Sequence, residues 1–143
     1  MSPIFYTHGV NLEYVAATDV DIDCRAGEIV QVLLNLLNNA YDAISESSEK
    51  WIKVELKKEP KSIAIWVTDS GGGIPTEVQK KIMQPFFTTK EVGKGTGLGL
   101  SISRGIIESH HGQLILDTSS ANTCFIIKLP IKQTEEAAPK KAA

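Results

Sequence analysis

Gly27-Glu-Ile-Val-Gln31-Val-Leu-Leu-Asn35-Leu-Leu-Asn38-Asn39-Ala-Tyr-Asp42-Ala-Ile-Ser45 is the stretch from which the fold is read. At ~100° per residue it forms a two-sided helix. With Asn35 at zero, Glu28 falls at roughly 20°, Gln31 at −40°, Asn38 at −60°, Asn39 at 40° and Asp42 at −20°. Ile29, Val32, Leu33, Leu36, Leu37, Ala40, Ala43 and Ile44 take the opposite side, where they would pack on a sheet. A polar face is what any surface helix carries. Three Asn within five positions is different, because Asn competes for backbone bonds and forms helix poorly. Neutral amides in a row offer carbonyl oxygens to a hard cation without repelling phosphate. The stripe points to a ligand and does not name it.

Outward from this helix the chain alternates. Val10 to Ala17 reads as a strand, preceded by a leader over 1–9. After the polar turn Ser45 to Ser48, Trp51 to Lys57 places Ile52, Val54 and Leu56 on one face and Lys53, Glu55 and Lys57 on the other, a half-buried strand. Glu59-Pro60-Lys61-Ser62 turns it into a second strand, Ile63 to Asp69, completing a hairpin. Thr76 to Met83 is a short helical piece inside a long glycine-rich stretch. Leu98 to His110 reads as a second amphipathic helix, with Gly112 as its C′ stop. Gln113 to Asp117 and Thr123 to Leu129 read as a closing hairpin. Residues 132–143 are Lys, Glu, Ala and Pro with little apolar bulk, the composition of a frayed tail.

The 143 residues fit one domain, residues 10–131, and 42% hydrophobic content can fill one core. Fifteen Lys plus Arg against 17 Asp plus Glu give a net charge of −2. That near-balance argues against nucleic-acid and membrane-surface partners. No apolar run approaches the ~18 residues of a membrane span, and no signal peptide is expected at the start. Cys24 and Cys124 stand a hundred positions apart with no CxxC, so neither a zinc site nor a disulfide scaffold is expected. The composition is that of a soluble intracellular globular domain.

Two glycine loops carry the remaining signal. Asp69-Ser70-Gly71-Gly72-Gly73-Ile74-Pro75 follows a strand directly. A carboxylate there can accept from a ligand amino group while glycine backbone approaches a flat ring; a plain hairpin turn is the competing reading. Gly93-Lys94-Gly95-Thr96-Gly97-Leu98-Gly99-Leu100-Ser101 runs into the second helix, whose N-terminal N–H groups suit an anion. The spacing is not that of a P-loop, since Thr88 stands where the first Gly belongs and Gly95 follows Lys94. It is not GxGxxG either, since Leu98 or Ile102 occupies the third Gly position. Between the loops, Phe86 and Phe87 in Pro85-Phe-Phe-Thr-Thr-Lys90 are either core plugs or a docking element on a lid.

These four blocks, in this order, resemble the catalytic ATP-binding domain of sensor histidine kinases, within the superfamily that includes gyrase, heat-shock chaperone and mismatch-repair ATPases. Gln31 to Ala40 is similar to the family's N box, Asp69 to Ile74 to its first glycine box, Pro85 to Lys90 to its F box and Gly95 to Leu100 to its second glycine box. The nitrogen-sensing and hybrid-kinase branch is the most similar. The resemblance spans about Val10 to Ile131. It implies an α/β two-layer sandwich of the Bergerat type, a mixed sheet covered on one face by helices. It implies ATP and Mg²⁺ as cofactors, with Asn39 on the metal and Asn35 assisting one turn earlier, these two being the catalytic candidates. Asp69 would read the adenine amino group, with Gly71 and Gly73 closing on the ring. Asp42, Ile74, Phe87, Thr89, Lys90, Lys94, Gly95, Thr96, Gly97, Leu98, Gly99 and Leu100 complete the nucleotide site it implies; Phe86 and Phe87 would couple the lid to a partner helix.

Gyrase-like members carry Glu four residues before the metal Asn, where this chain has Asn35, and an amide cannot act as a general base. The expected activity is therefore transfer of the γ-phosphoryl group to a protein histidine in two-component signalling. A gyrase-like ATPase and a nucleotide-independent sensor module are the alternatives. His8, His110 and His111 do not resemble acceptors, the last two serving to complement a helix dipole. The acceptor is expected on a separate dimerisation domain, with a response regulator receiver domain downstream, a cytoplasmic location and no direct membrane contact. One departure stands out. The family often has Gly-Thr before its last strand, whereas this chain has Ala121-Asn122-Thr123, Asn being the residue that tolerates left-handed backbone.

Overall fold

The computed structural model describes residues 4–7, 9–16, 21–79, 81 and 99–132. Their elements are β1 (Ile4–Thr7), β2 (Val10–Ala16), α1 (Ala26–Ile44), β3 (Trp51–Lys58), β4 (Ser62–Asp69), α2 (Thr76–Gln79), α3 (Gly99–Ser109), β5 (Gln113–Leu116) and β6 (Cys124–Pro130). They build one six-stranded sheet in the order β1-β2-β3-β4-β6-β5. Only β2 and β3 run parallel, and α1 is their crossover, as parallel neighbours require. The hairpins β3/β4 and β5/β6 pair as the alternation implies. The segment expected to be a leader is corrected: its residues 4–7 pair antiparallel with β2, Thr7 opposite Val10, and Gly9 makes the tight reversal at φ +78.

Register places Ile52, Val67 and Phe125, with Ile63, Ile65, Ile127, Leu129 and Leu114, on the helix-bearing face of the sheet. There they meet Ile29, Val32, Leu36, Ala40 and Ile44 of α1 and Ile107 of α3 in one core. Val32, Ile44, Ile52, Ile107 and Ile127 are completely buried, each such side chain worth ~1.5–3 kcal/mol of transfer free energy. Ala43, at the margin of the apolar arc, is exposed rather than packed on the sheet. The other face carries Lys53, Glu55 and Lys57 beside Trp66, with Lys57 Nζ 3.9 Å from the Trp66 ring centroid.

Helix α3 lies against α1 and closes differently from the expectation. His111, not Gly112, takes the left-handed turn, at φ +64. Its N–H donates to Glu108 C=O and the Gly112 N–H to Ile107 C=O, both at 3.0 Å, the two bonds of a Schellman closure. Gly112 is glycine for packing: a Cβ there would run into Lys128 C=O and approach Leu129 and Ile107 within 3.1 Å. His110 does not merely complement a dipole. It is fully buried, its Nε2 accepting from Arg25 N–H at 3.0 Å and its Nδ1 lying 2.9 Å from Ile106 C=O. Arg25 is the N-cap of α1 and makes no side-chain cap bond, so the imidazole of one helix satisfies the start of the other.

Candidate functional site

On α1 the polar stripe divides by burial. Glu28, Asn35 and Asn39 are half-buried, while Gln31, Asn38 and Asp42 are exposed. Asn35 Nδ2 donates to Ser103 Oγ at 3.0 Å and reaches Gly99 C=O at 3.5 Å. Ser103 is completely buried. Asn35 therefore ties α1 to the start of α3, which begins at Gly99. Asn39 follows one turn later on the same helix. Leu100 is half-buried and packs against the core.

The second cluster stands at the end of β4. Asp69 continues the odd-numbered positions 63, 65 and 67, which face the helices, and is only 3% exposed. Its Oδ1 accepts from Gly71 N–H at 2.7 Å, whereas Oδ2 has no hydrogen-bond partner among the described residues. Burial raises its pKa from 3.8 to about 6, against the lowering effect of the Gly71 bond. Gly71 is glycine by necessity, since a Cβ would stand 2.8 Å from Asp69 Oδ1. Gly73 adopts φ +94, which only glycine takes without strain. Ile74 packs half-buried against the core, and Gln79 Nε2 holds its carbonyl at 2.9 Å. Ser70 pins the loop to β3, exchanging backbone and side-chain bonds with Trp51 and Glu49.

Several contributors escaped the sequence reading. Ser103, the buried partner of Asn35, sits on the stripe Leu100, Ser103, Ile107, His110, whose 3-4-3 spacing puts all four on the inner face of α3. Thr123 and Asn122 both hold the Gly71 carbonyl, Thr123 N–H at 3.3 Å and Asn122 Nδ2 at 3.1 Å. Asn122 does not use the left-handed geometry expected of it: among the described residues His111 is the only non-glycine at positive φ. Phe86, Phe87, Thr89, Lys90, Lys94, Gly95, Thr96, Gly97 and Leu98 lie outside the described residues.

The structure thus places a buried carboxylate beside glycine backbone at the end of β4, and an Asn of the α1 stripe against the start of α3. The family described as histidine kinase-, DNA gyrase B- and HSP90-like ATPase matches residues 25–133. The two-component sensor PprA of Pseudomonas aeruginosa is 35% identical over 136 residues, covering 91% of this chain and 15% of PprA. The sensor kinase CckA of Brucella abortus is 41% identical over 118 residues, 73% of this chain and 12% of CckA. The chain thus spans a small fraction of the curated relatives it matches. The solved nucleotide-free catalytic domain of histidine kinase ThkA superposes with a TM-score of 0.74 at 34% identity, covering 86% of this chain and 81% of that one. No helix among the described residues is long and apolar enough to cross a membrane. The chain belongs to the histidine kinase-, DNA gyrase B- and HSP90-like ATPase family, as a catalytic domain of the sensor histidine kinase kind.

Proposed function

We propose that this domain binds Mg-ATP and transfers its γ-phosphoryl group to a histidine on a separate dimerisation domain, for onward transfer to a response regulator receiver domain in the cytoplasm. The observation that carries the reading is Asp69: a buried carboxylate whose Oδ1 is fixed by Gly71 and whose Oδ2, unbonded among the described residues, would accept from an adenine amino group. Asn39, half-buried one turn beyond Asn35, is the metal ligand of this reading, and Mg²⁺ there would neutralise charge on the triphosphate. The N-terminal N–H groups of α3 face the phosphates. The acceptor imidazole nitrogen bonds to the γ-phosphorus as the bond to the β-bridging oxygen breaks, and ADP leaves with that electron pair. Positioning and charge neutralisation carry the catalysis.

Hydrolysis is disfavoured by the same geometry. Asn35 has no basic nitrogen, and its amide is spent on Ser103 and Gly99, so no group at that position removes a proton from water. Calorimetric titration with ATP, with and without Mg²⁺ and with GTP as control, tests the site; phosphorylation of an added acceptor domain tests the transfer. Magnesium-dependent, ATP-selective binding is expected. Silence toward both nucleotides would leave the sensor-module reading, and turnover without any acceptor would revive the gyrase-like one.

A further inference from the structure

The loop between β5 and β6, residues 117–123, braces the glycine loop. Asp69 N–H donates to Thr123 C=O at 3.0 Å, and Gly71 C=O accepts from Thr123 N–H and Asn122 Nδ2. A Cβ on Gly73 would stand 3.7 Å from Ala121 C=O, so the two loops run close together. The Thr123 bonds are backbone bonds that extend the β4/β6 pairing. Asn122 is the side chain in this contact, and its own turn does not require the bond. Its N–H is already satisfied by Ser120 Oγ at 3.1 Å, and its amide is used on Gly71, 51 residues away.

Gly71 has two jobs that conflict. It must lack a Cβ, because one would strike Asp69 Oδ1, and lacking it the residue has the widest backbone freedom of any. Yet its N–H must point at Asp69 Oδ1, since that bond selects which carboxylate oxygen is left for a ligand. The peptide groups on its two sides turn about a single Cα. A donor that holds the Gly71 carbonyl limits both dihedrals and hence the direction of the N–H.

We propose that Asn122 is a positioning residue for base recognition: its amide locks Gly71, and through Gly71 the orientation of Asp69, so that Oδ2 meets the exocyclic amino group of a 6-aminopurine. This rests on the reading of Asp69 as the base-recognising group.

The test uses the full chain and two variants, Asn122→Ala, which removes the donor, and Asn122→Asp, which keeps the shape and replaces the donor by an acceptor. Each is titrated with ATP and with inosine triphosphate, which differs at the 6-position of the base, and each is melted to establish folding. ATP affinity is expected to fall about three- to tenfold in Asn122→Ala and further in Asn122→Asp, the size of one lost hydrogen bond. Inosine triphosphate should change little, so the selectivity ratio narrows, and the Gly71 amide proton resonance should move without nucleotide present. Parallel weakening of both nucleotides would reduce Asn122 to a structural role and overturn the proposal. Selectivity that depends on Asp69 but survives in both variants would overturn it alone. A wild-type chain that binds neither nucleotide would remove the reading of Asp69, and this inference with it. Asn122→Ala decides the matter if Asn122→Asp does not fold.

Discussion

Asn35 Nδ2 donates to Ser103 Oγ at 3.0 Å across 68 residues of sequence, joining the amide stripe of α1 to the buried face of α3. At the other end of the same helix pair, Arg25 N–H donates to His110 Nε2. The two helices are antiparallel, and α3 is pinned to α1 near both of its ends. The start of α3 is therefore set relative to the amide stripe of α1 by a side-chain bond and not by apolar packing alone.

Ser103→Ala should cost about 1–2 kcal/mol, because it removes a buried acceptor and leaves the Asn35 amide short of its partner. Urea denaturation of Ser103→Ala, Asn35→Ala and the double variant measures the coupling. Additive losses would mean that the bond contributes nothing to the helix pair.

Asp69→Asn should stabilise the nucleotide-free domain at neutral pH while eroding adenine preference. The Asp69 pKa is raised by burial to about 6 from 3.8, so the unfolded chain releases this proton first as pH rises. Between about pH 4 and 6 the native state holds more protons, stability falls as pH rises, and above 6 the full penalty, roughly 3 kcal/mol, is present. The variant should gain roughly 1–3 kcal/mol at pH 7.5 and lose that advantage near pH 4. ATP affinity of the wild type should also weaken as pH drops through 6, where the carboxylate takes up its proton. A pH-independent stability difference would contradict the assignment.

Asn39→Ala should weaken Mg-ATP binding by on the order of ten- to a hundredfold and metal-free ATP by much less. Titrations in magnesium and in chelator provide the comparison, and equal losses would take the metal away from Asn39.

His110→Ala should cost about 3 kcal/mol or more, since it empties a fully buried ring site and strands the Arg25 N–H, while the Ile106 carbonyl keeps the Ser109 hydroxyl. Thermal melts read the loss. A shift of less than about 2 °C would show that α1 needs no cap from α3.

At the end of α3 two substitutions should act in opposite directions. His111→Gly relieves a left-handed residue and should add about 0.5–1 kcal/mol. Gly112→Ala drives a methyl into Lys128 C=O and should cost several kcal/mol. Stabilisation by Gly112→Ala would contradict the close approach to Lys128 C=O, and destabilisation by His111→Gly would contradict the left-handed turn at His111.

Much of this protein was determined by sequence alone, because the determinants are local and periodic. The 3.6-residue spacing from Ile29 to Ile44 makes α1 and aims its amides away from the core, and the alternation in Trp51 to Lys57 makes β3 and its hairpin. The order of the motif blocks carried the family. The burial of His110 went unread, although the spacing of Leu100, Ser103, Ile107 and His110 carries that signal. What only the tertiary structure decided are the partners. Asn35 meets Ser103, Arg25 meets His110 and Gly71 meets Asn122 across 68, 85 and 51 residues. Residues 4–7 become a strand because β2 offers an edge, not because of their own pattern. Asp69 carries its perturbed pKa because sheet and helices remove water from it. A hydrogen bond or a desolvated charge depends on what the fold brings near, and no local spacing encodes that.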